Sequence, residues 1–277
     1  MTVVSAATRP IPAAGALVLF LAVAPAQAEE LRVCLLEDDL PRAHRTEGTG
    51  FDHDLFREAA ERLGRDFVPV WRPKAPPYSE IDDTDLPFDE LLDGECDLVP
   101  SVPGRLALGR LAGAADLSPP YYAAAFEIYM PTAENLDWAG LPAAVANRKV
   151  AVRLQSLAHF AAQAAGLDWT SQPSAADVVG AVDDGRAAAA LIFGPALASL
   201  GKDPVNAFEP PPGLRFNEHA AVRAGDALGD DVARVLEDLR RDGTLARLAA
   251  RYGIFRIEPF PTVSSPEAIR ALGIGGP

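Results

Sequence analysis

LRVCLL at residues 31–36, DHDLFREAAERL at 52–63 and FVPVW at 67–71 predict a strand, a helix and a second strand, in that order. The apolar residues of the middle stretch recur at helical spacing, and Gly64 directly after it is a natural helix end. Pro69 cannot donate a backbone hydrogen bond, so it indicates that the second strand lies at the edge of its sheet. A strand–helix–strand unit of this kind is typical of α/β layers.

The same alternation continues through the rest of the chain. A short helix through Phe88 and Leu92 leads into a third predicted strand at Cys96–Val99, and a second unit begins after the aromatic stretch Tyr121–Tyr129. Further strands are predicted at 149–154, 188–193 and 218–222, with helices after the cap residues Ser156 and Ser174 and two more within 230–252. The fold class is therefore α/β, with two units that are each a doubly wound mixed sheet with flanking helices.

Composition narrows the classes of function. The 277 residues are 49% hydrophobic, too apolar for a disordered tail, and a formal net charge of −14 argues against nucleic-acid or anionic-membrane binding. The mean hydropathy of +0.06 excludes a protein with several membrane spans. Two cysteines are too few for a disulfide-rich scaffold, and the four histidines show no metal-binding spacing, so we expect no metal and no cofactor.

The N-terminal 28 residues have the pattern of a secretory signal peptide. The apolar run Ala13–Pro25 is shorter than the roughly 20 residues that cross a bilayer, Arg9 precedes it and Ala26-Gln27-Ala28 follows it. We expect residues 1–28 to be removed and the mature chain to reside in the periplasm without inserting into a membrane. The alternative is a buried N-terminal helix.

Several short motifs follow one another in order along the mature chain. They are Leu31-Arg32-Val33, GFDHDL at 50–55, Cys96-Asp97-Leu98-Val99, LSPPYY at 117–122, Asp184-Gly185-Arg186, RDGTL at 241–245 and Arg251-Tyr252-Gly253. Together they resemble the type II periplasmic solute-binding fold of solute-binding protein family 3. The resemblance implies a monomer of two α/β lobes, residues 29–130 plus 220–277 and residues 131–219, with crossings near 130 and 220 and a ligand in the cleft.

A narrower resemblance rests on the cysteines and on a motif in the second lobe. The chain resembles the J-type accessory proteins of quinoprotein (PQQ) methanol dehydrogenases at Cys34, Cys96-Asp97, VPSVPG at 99–104 and Phe193-Gly194-Pro195. The stretch Asp38 to Arg42 departs from that family's usual Asn-Leu-Pro-Phe. This resemblance implies a non-enzymatic accessory role with a periplasmic quinoprotein dehydrogenase as the partner.

The two cysteines are predicted to form a disulfide. The first and third strands of a doubly wound unit are parallel neighbours, which brings Cys34 and Cys96 within bridging distance, and the periplasm is oxidising. The alternative is a pair of buried free thiols.

Charged candidates for a ligand site lie in both predicted lobes. Glu37, Asp38 and Asp39 follow the first strand at its carboxyl end, where open α/β sheets bind ligands, and could hold a cation; the alternative is a solvated acidic loop. The candidate anion anchors are Arg105, Arg110 and Arg153, since a guanidinium can clamp a carboxylate; the alternative is a surface ion pair for each.

The remaining candidates come from the resemblance and from aromatic content. Gln155-Ser156 keeps half of the Gly-Thr/Ser pair with which amino-acid binders of this class receive a carboxylate at a helix start. Tyr121, Tyr122 and Phe193 are candidate cleft walls, the alternative being core packing. Phe193 also stands where those binders place the acid that grips an α-ammonium, so a standard α-amino acid is not the first expected ligand.

Three functions compete on this evidence. The main expectation is the non-enzymatic accessory protein, and the alternative is the substrate-binding protein of an ABC importer, delivering an amino acid or organic acid to a permease. An enzyme on the same fold would need a paired acid and base in the cleft, and no catalytic motif is apparent in the sequence.

Overall fold

The structure is a computed structural model that describes residues 1–2, 28–73, 86, 88–104, 113–205, 209–263 and 265–271. The expected signal peptide lies almost wholly outside these residues, so its assignment stays a prediction. Within the described ranges, no helix has both the length and the apolar character needed to cross a membrane.

The first strand–helix–strand unit forms as the sequence predicts. Strand β1 (Glu30–Leu36) pairs in parallel with β2 (Asp66–Arg72), and helix α1 (Phe51–Leu63) connects them. Gly64 ends α1 with a left-handed φ of 67°, a conformation that costs glycine little because it has no Cβ. Among the described strands β1 and β2 form a two-stranded sheet of their own, so β2 has the edge position inferred from its proline.

The third strand is displaced from its predicted position. Helix α2 spans Phe88–Leu92, and strand β3 spans Val99–Val102 instead of Cys96–Val99. The reason is that Asp97 is held by Arg32, whose backbone N–H donates to Oδ2 at 3.0 Å and whose guanidinium donates to Oδ1 at 2.6 Å. Beside β1 this segment forms one parallel bridge, between Val33 and Leu98, and β3 then pairs antiparallel with a later strand.

The remaining elements build one continuous sheet with helices against it. The strands are β4 (Ala115–Leu117), β5 (Tyr122–Tyr129), β6 (Val150–Arg153), β7 (Trp169–Gln172), β8 (Ala189–Phe193) and β9 (Arg215–Arg223). The helices are α3 (Leu141–Ala144), α4 (Leu157–Ala164), α5 (Ala175–Asp183), α6 (Gly194–Ser199), α7 (Leu228–Arg241), α8 (Thr244–Tyr252) and α9 (Pro266–Ala271). The strand order is β3-β9-β5-β8-β6-β7, with β4 also paired to β9.

Strands β5 and β9 run from one half of the molecule to the other. The first half of β5 pairs with the first half of β9, and the second half of β5 pairs with β8. The second half of β9 pairs with β3 and β4. We take β5 and β9 as the two crossing segments; the expected lobe limits, 29–130 plus 220–277 and 131–219, stay a prediction.

Separate hydrophobic clusters lie on the two sides of these crossings. One is built from β1, α1, α7 and α8, and another from β6, α4 and the middle of β5 and β8. Phe193, the last residue of β8, packs against both clusters. The predicted disulfide is present: Cys34 and Cys96 are bonded with a Cα–Cα distance of 5.7 Å, and both side chains are buried.

Candidate functional site

A set of polar side chains is buried where β1, α1, β3, β5 and β9 meet. We call it the polar cluster, and its members are Asp39, Arg42, Asp52, Ser101, Tyr121, Tyr122 and Glu218. All except Arg42 are at most 5% exposed. Buried polar groups on this scale are costly unless they are paired, so each member's partner matters.

Asp52 is an acid of the polar cluster that two hydroxyl groups satisfy. It lies in the first turn of α1 and accepts hydrogen bonds from Ser101 Oγ at 2.5 Å and from Tyr121 Oη at 2.7 Å. Because the hydroxyl proton of Ser101 goes to Asp52, the 2.9 Å contact between Tyr122 Oη and Ser101 Oγ must be donated by Tyr122. Ser101 has a left-handed φ of 53°, so its position in the cluster is held against backbone preference.

Burial controls the protonation of Asp52 and Glu218, which form no ion pair with the residues that the structure describes. It raises the pKa of Asp52 to about 6, against the opposing effects of the Ser101 hydrogen bond and of Arg42. Burial also raises the pKa of Glu218 to about 8, and the negative charges of Asp52 and Asp39 add to that rise while Arg42 opposes it. At neutral pH Glu218 is therefore mostly protonated and Asp52 mostly ionised.

Arg42 connects the polar cluster to the other half of the molecule. Its guanidinium makes an ion pair with Asp39 at 2.7 Å and lies 6.0 Å from the centre of the Phe193 ring. The Phe193 ring in turn lies 5.5 Å from that of Phe126. Arg42 Nε is buried and has no hydrogen-bond partner among the described residues. The cluster thus borders the junction of the two hydrophobic clusters and offers an unfilled donor there.

A narrow pocket opens onto the polar cluster. It is lined by residues after and within β1, at the start of α1 and along β3, namely Cys34, Leu35, Leu36, Asp39, Arg42, Ala43, Asp52, Leu86, Val99, Pro100 and Ser101. Its cavity volume of about 20 Å³ holds one or two water molecules. A larger solute does not fit this cavity as it stands.

Glu37 and Asp38 lie beside the polar cluster rather than in it. Glu37 forms an ion pair with the exposed Arg45, and the largely exposed Asp38 lies 3.3 Å from His44 Nε2. The next residue, Asp39, is the one that turns inward. From the sequence, Asp39 is one of three adjacent acidic candidates, whereas Arg42 was missed, although the stretch that contains both departs from the usual motif of the accessory family.

The two tyrosines are core residues and do not form the walls of an open cleft. Tyr121 and Tyr122 are at most 1% exposed, and their rings pack against Phe51 at centroid distances of 6.3 and 5.2 Å. Their rings lie in the core, and their hydroxyl groups extend into the polar cluster. Phe193 is half-buried and borders the junction of the two hydrophobic clusters, and its role as a cleft wall stays a prediction.

The remaining candidates do not meet the polar cluster in the described structure. Ser156 caps α4: its Oγ accepts from His159 N at 3.2 Å and donates to the Arg153 carbonyl at 2.8 Å. The exposed Gln155 donates its backbone N–H to His159 Nδ1 at 3.2 Å, and Arg153 ends β6, half-buried. Arg105 and Arg110 lie outside the described residues. A ligand role for these residues stays a prediction.

No set of three or more His, Cys, Asp or Glu side chains within the described ranges is arranged to hold a metal ion. The cluster's chemistry is instead that of hydrogen bonding and charge pairing. It can bind a small polar group, and its one guanidinium and several carboxyl groups suit charged ligands.

No family model matches the chain, and no curated protein matches it. Solved structures do match it. An ancestral cationic amino acid solute-binding protein is 24% identical over 80% of this chain and 95% of its own, with a TM-score of 0.63. The L-cystine solute receptor of Neisseria gonorrhoeae, in its unliganded open conformation, is 22% identical over 83% of this chain and 94% of its own, with a TM-score of 0.65.

A third match is the second substrate-binding domain of a proposed amino acid ABC transporter from Streptococcus pneumoniae. It is 16% identical over 81% of this chain and 99% of its own, with a TM-score of 0.62. A second structure of the ancestral protein is described as a precursor of cyclohexadienyl dehydratase. These likenesses show that the chain has the two-lobe fold of periplasmic binding proteins, with mixed α/β sheets and flanking helices.

Proposed function

We propose that the mature chain is the substrate-binding protein of an ABC importer and delivers a small polar solute, such as an amino acid or organic acid, to a permease. The observation that carries this proposal is the place of the polar cluster. Arg42 reaches from the cluster to Phe193 at the junction of the two hydrophobic clusters, which is where a two-lobe binding protein holds its ligand.

The similar structures support this proposal over the accessory role. The proteins they describe include a cationic amino acid binding protein, a cystine receptor and a domain of an amino acid transporter. We propose further that the protein is a non-enzymatic monomer of the periplasm, exported by the signal at residues 1–28.

A thermal-shift screen of the mature chain over amino acids, organic acids and amines tests the proposal. We expect one class of solute to raise the melting temperature by several degrees, since a ligand that binds only the folded state stabilises it. Arg42→Gln should abolish that shift. Arg45→Gln, a change at an exposed arginine of the same loop, should leave it intact. Equal shifts in both variants would place the binding site elsewhere.

The accessory role remains a second candidate because of the pocket's size. The cavity beside Arg42 and Asp39 that the described residues form has a volume of about 20 Å³, which admits water but no solute. A protein that only contacts a quinoprotein dehydrogenase needs no ligand cavity. Co-purification with a periplasmic dehydrogenase and no thermal shift with any solute would favour this role over the importer.

A further inference from the structure

Glu218 is a buried acid without a counter-charge of its own. Its side chain is 1% exposed, and Oε2 has no hydrogen-bond partner among the residues that the structure describes. It lies on β9 directly opposite Tyr122 of β5, so the two side chains share one face of the sheet. The Tyr122 hydroxyl on that face contacts Ser101, which places Glu218 on the side of the polar cluster.

The other charged groups of the polar cluster already have an ion-pair or hydrogen-bond partner. Asp39, Arg42, Asp52 and Tyr122 are the titratable and charged groups that act on Glu218, from the loop after β1, from α1 and from β5. Arg42 is paired with Asp39, and Asp52 is satisfied by two hydroxyl donors. The cluster therefore holds three carboxyl groups against one guanidinium, and Glu218 is the carboxyl left over.

Packing alone gives no reason for a glutamate here. An apolar side chain of similar volume would avoid the cost of an unsatisfied buried acceptor. A group retained at such a cost, beside the junction of the two lobes, is typical of a functional site.

We propose that Glu218 receives the protonated amine or guanidinium of the transported solute, so that the importer's substrate is a small cation-bearing molecule. This inference rests on the proposed binding function. It assigns the role of the missing ammonium-binding acid of the second lobe to a residue on the crossing strand β9.

Binding then releases a proton. In the free protein Glu218 is a neutral carboxylic acid near pH 7; on binding, its O–H proton passes to buffer and the carboxylate pairs with the incoming cation, whose own charge is unchanged. The affinity for a cationic solute should rise up to about tenfold per pH unit below pH 8 and level off above it. Tyr122 stays neutral throughout, because burial raises its pKa well above 10, and Asp52 titrates at lower pH.

Isothermal titration calorimetry at pH 7, in two buffers of different ionisation enthalpy, measures this proton release. The probes are L-arginine, L-lysine and putrescine, which carry an ammonium or guanidinium group, and succinate, which carries neither. We expect close to one proton released per cation bound, and at least tenfold tighter binding of L-arginine than of succinate. Glu218→Gln should remove both effects, whereas Glu258→Gln, at an exposed glutamate, should keep them.

The outcomes separate this inference from the function it rests on. Binding of succinate but of no cation would overturn the role of Glu218 and leave the importer function standing. Cation binding without proton release in the wild-type protein would overturn it as well, and needs no variant that folds. Absence of binding by every solute tried would reject the binding function itself.

Discussion

Replacing Glu218 by glutamine should change how the stability of the protein depends on pH. The substitution keeps the shape of the side chain and removes its ionisation. In the native state burial raises the pKa of Glu218 from its ordinary value of 4.5 to about 8. As pH rises between these values the unfolded chain loses this proton and the native state keeps it. Ionisation therefore favours unfolding, and the wild-type protein becomes less stable toward pH 8.

The size of the effect follows from the two pKa values. One unit of pKa shift corresponds to about 1.4 kcal/mol, so the single group should cost about 2 kcal/mol of stability between pH 6 and pH 8. Asp52 contributes little in this window because burial raises its pKa only to about 6. Burial lowers the pKa of His159, so this histidine makes the protein less stable as the pH falls. The Glu218→Gln variant retains His159, so both proteins share this effect. The difference between the two proteins thus isolates Glu218.

Urea unfolding of the wild-type protein and of Glu218→Gln at several pH values from 6 to 8 measures this difference. We expect the free energy of unfolding of Glu218→Gln, relative to that of the wild-type protein, to rise by about 2 kcal/mol from pH 6 to pH 8. Parallel pH profiles would refute the reasoning, because they would mean that Glu218 is already ionised in the native state.

Three further changes test the structure. The double variant Cys34→Ser with Cys96→Ser should lose about 4 kcal/mol of unfolding free energy by urea denaturation, since the bridge closes a loop with a sequence separation of 62 residues. Ser156→Ala should cost about 1 kcal/mol by losing the cap of α4, and should leave solute affinity unchanged if its role is only structural. Arg256→Gln should cost about 3 kcal/mol or more of unfolding free energy in thermal or urea unfolding. The substitution removes the bidentate partner of Glu127, which is a buried residue of the crossing strand β5. A loss below about 1 kcal/mol would contradict this.

The parts of the fold that the sequence predicts are those with local signals. The amphipathic spacing of 52–63 with Gly64 after it identifies α1, and Ser156 and Ser174 begin their helices as side-chain caps. Each of these signals lies within a single helix or directly beside it. Neighbouring residues suffice to interpret such signals.

Strand β5 was not predicted, because every residue of Tyr122–Tyr129 is buried. A strand that is covered on both faces has no alternation of polar and apolar residues, and this one includes three consecutive alanines. The register of β3 was missed for a different reason. The hydrogen bonds from Arg32 to Asp97 span 65 residues of sequence and hold the segment before the strand out of regular pairing.

The polar cluster depends on long-range contacts in the same way. Ser101 and Tyr121 reach Asp52 across sequence separations of 49 and 69 residues, and no spacing in the chain encodes those contacts. The sequence does place acidic residues at the end of β1, but neighbouring residues do not decide which of Glu37, Asp38 and Asp39 turns inward. That choice depends on Arg42, which supplies the ion pair.

A crystal structure of the mature chain with a solute that stabilises it in the thermal-shift screen would test the central claim most directly. We predict electron density for the solute at the junction of the lobes, against the Phe193 ring, with its polar groups within hydrogen-bond distance of Arg42 Nε and Glu218 Oε2. Solute density elsewhere, with the contacts of Arg42 and Glu218 unchanged from the free protein, would contradict the account.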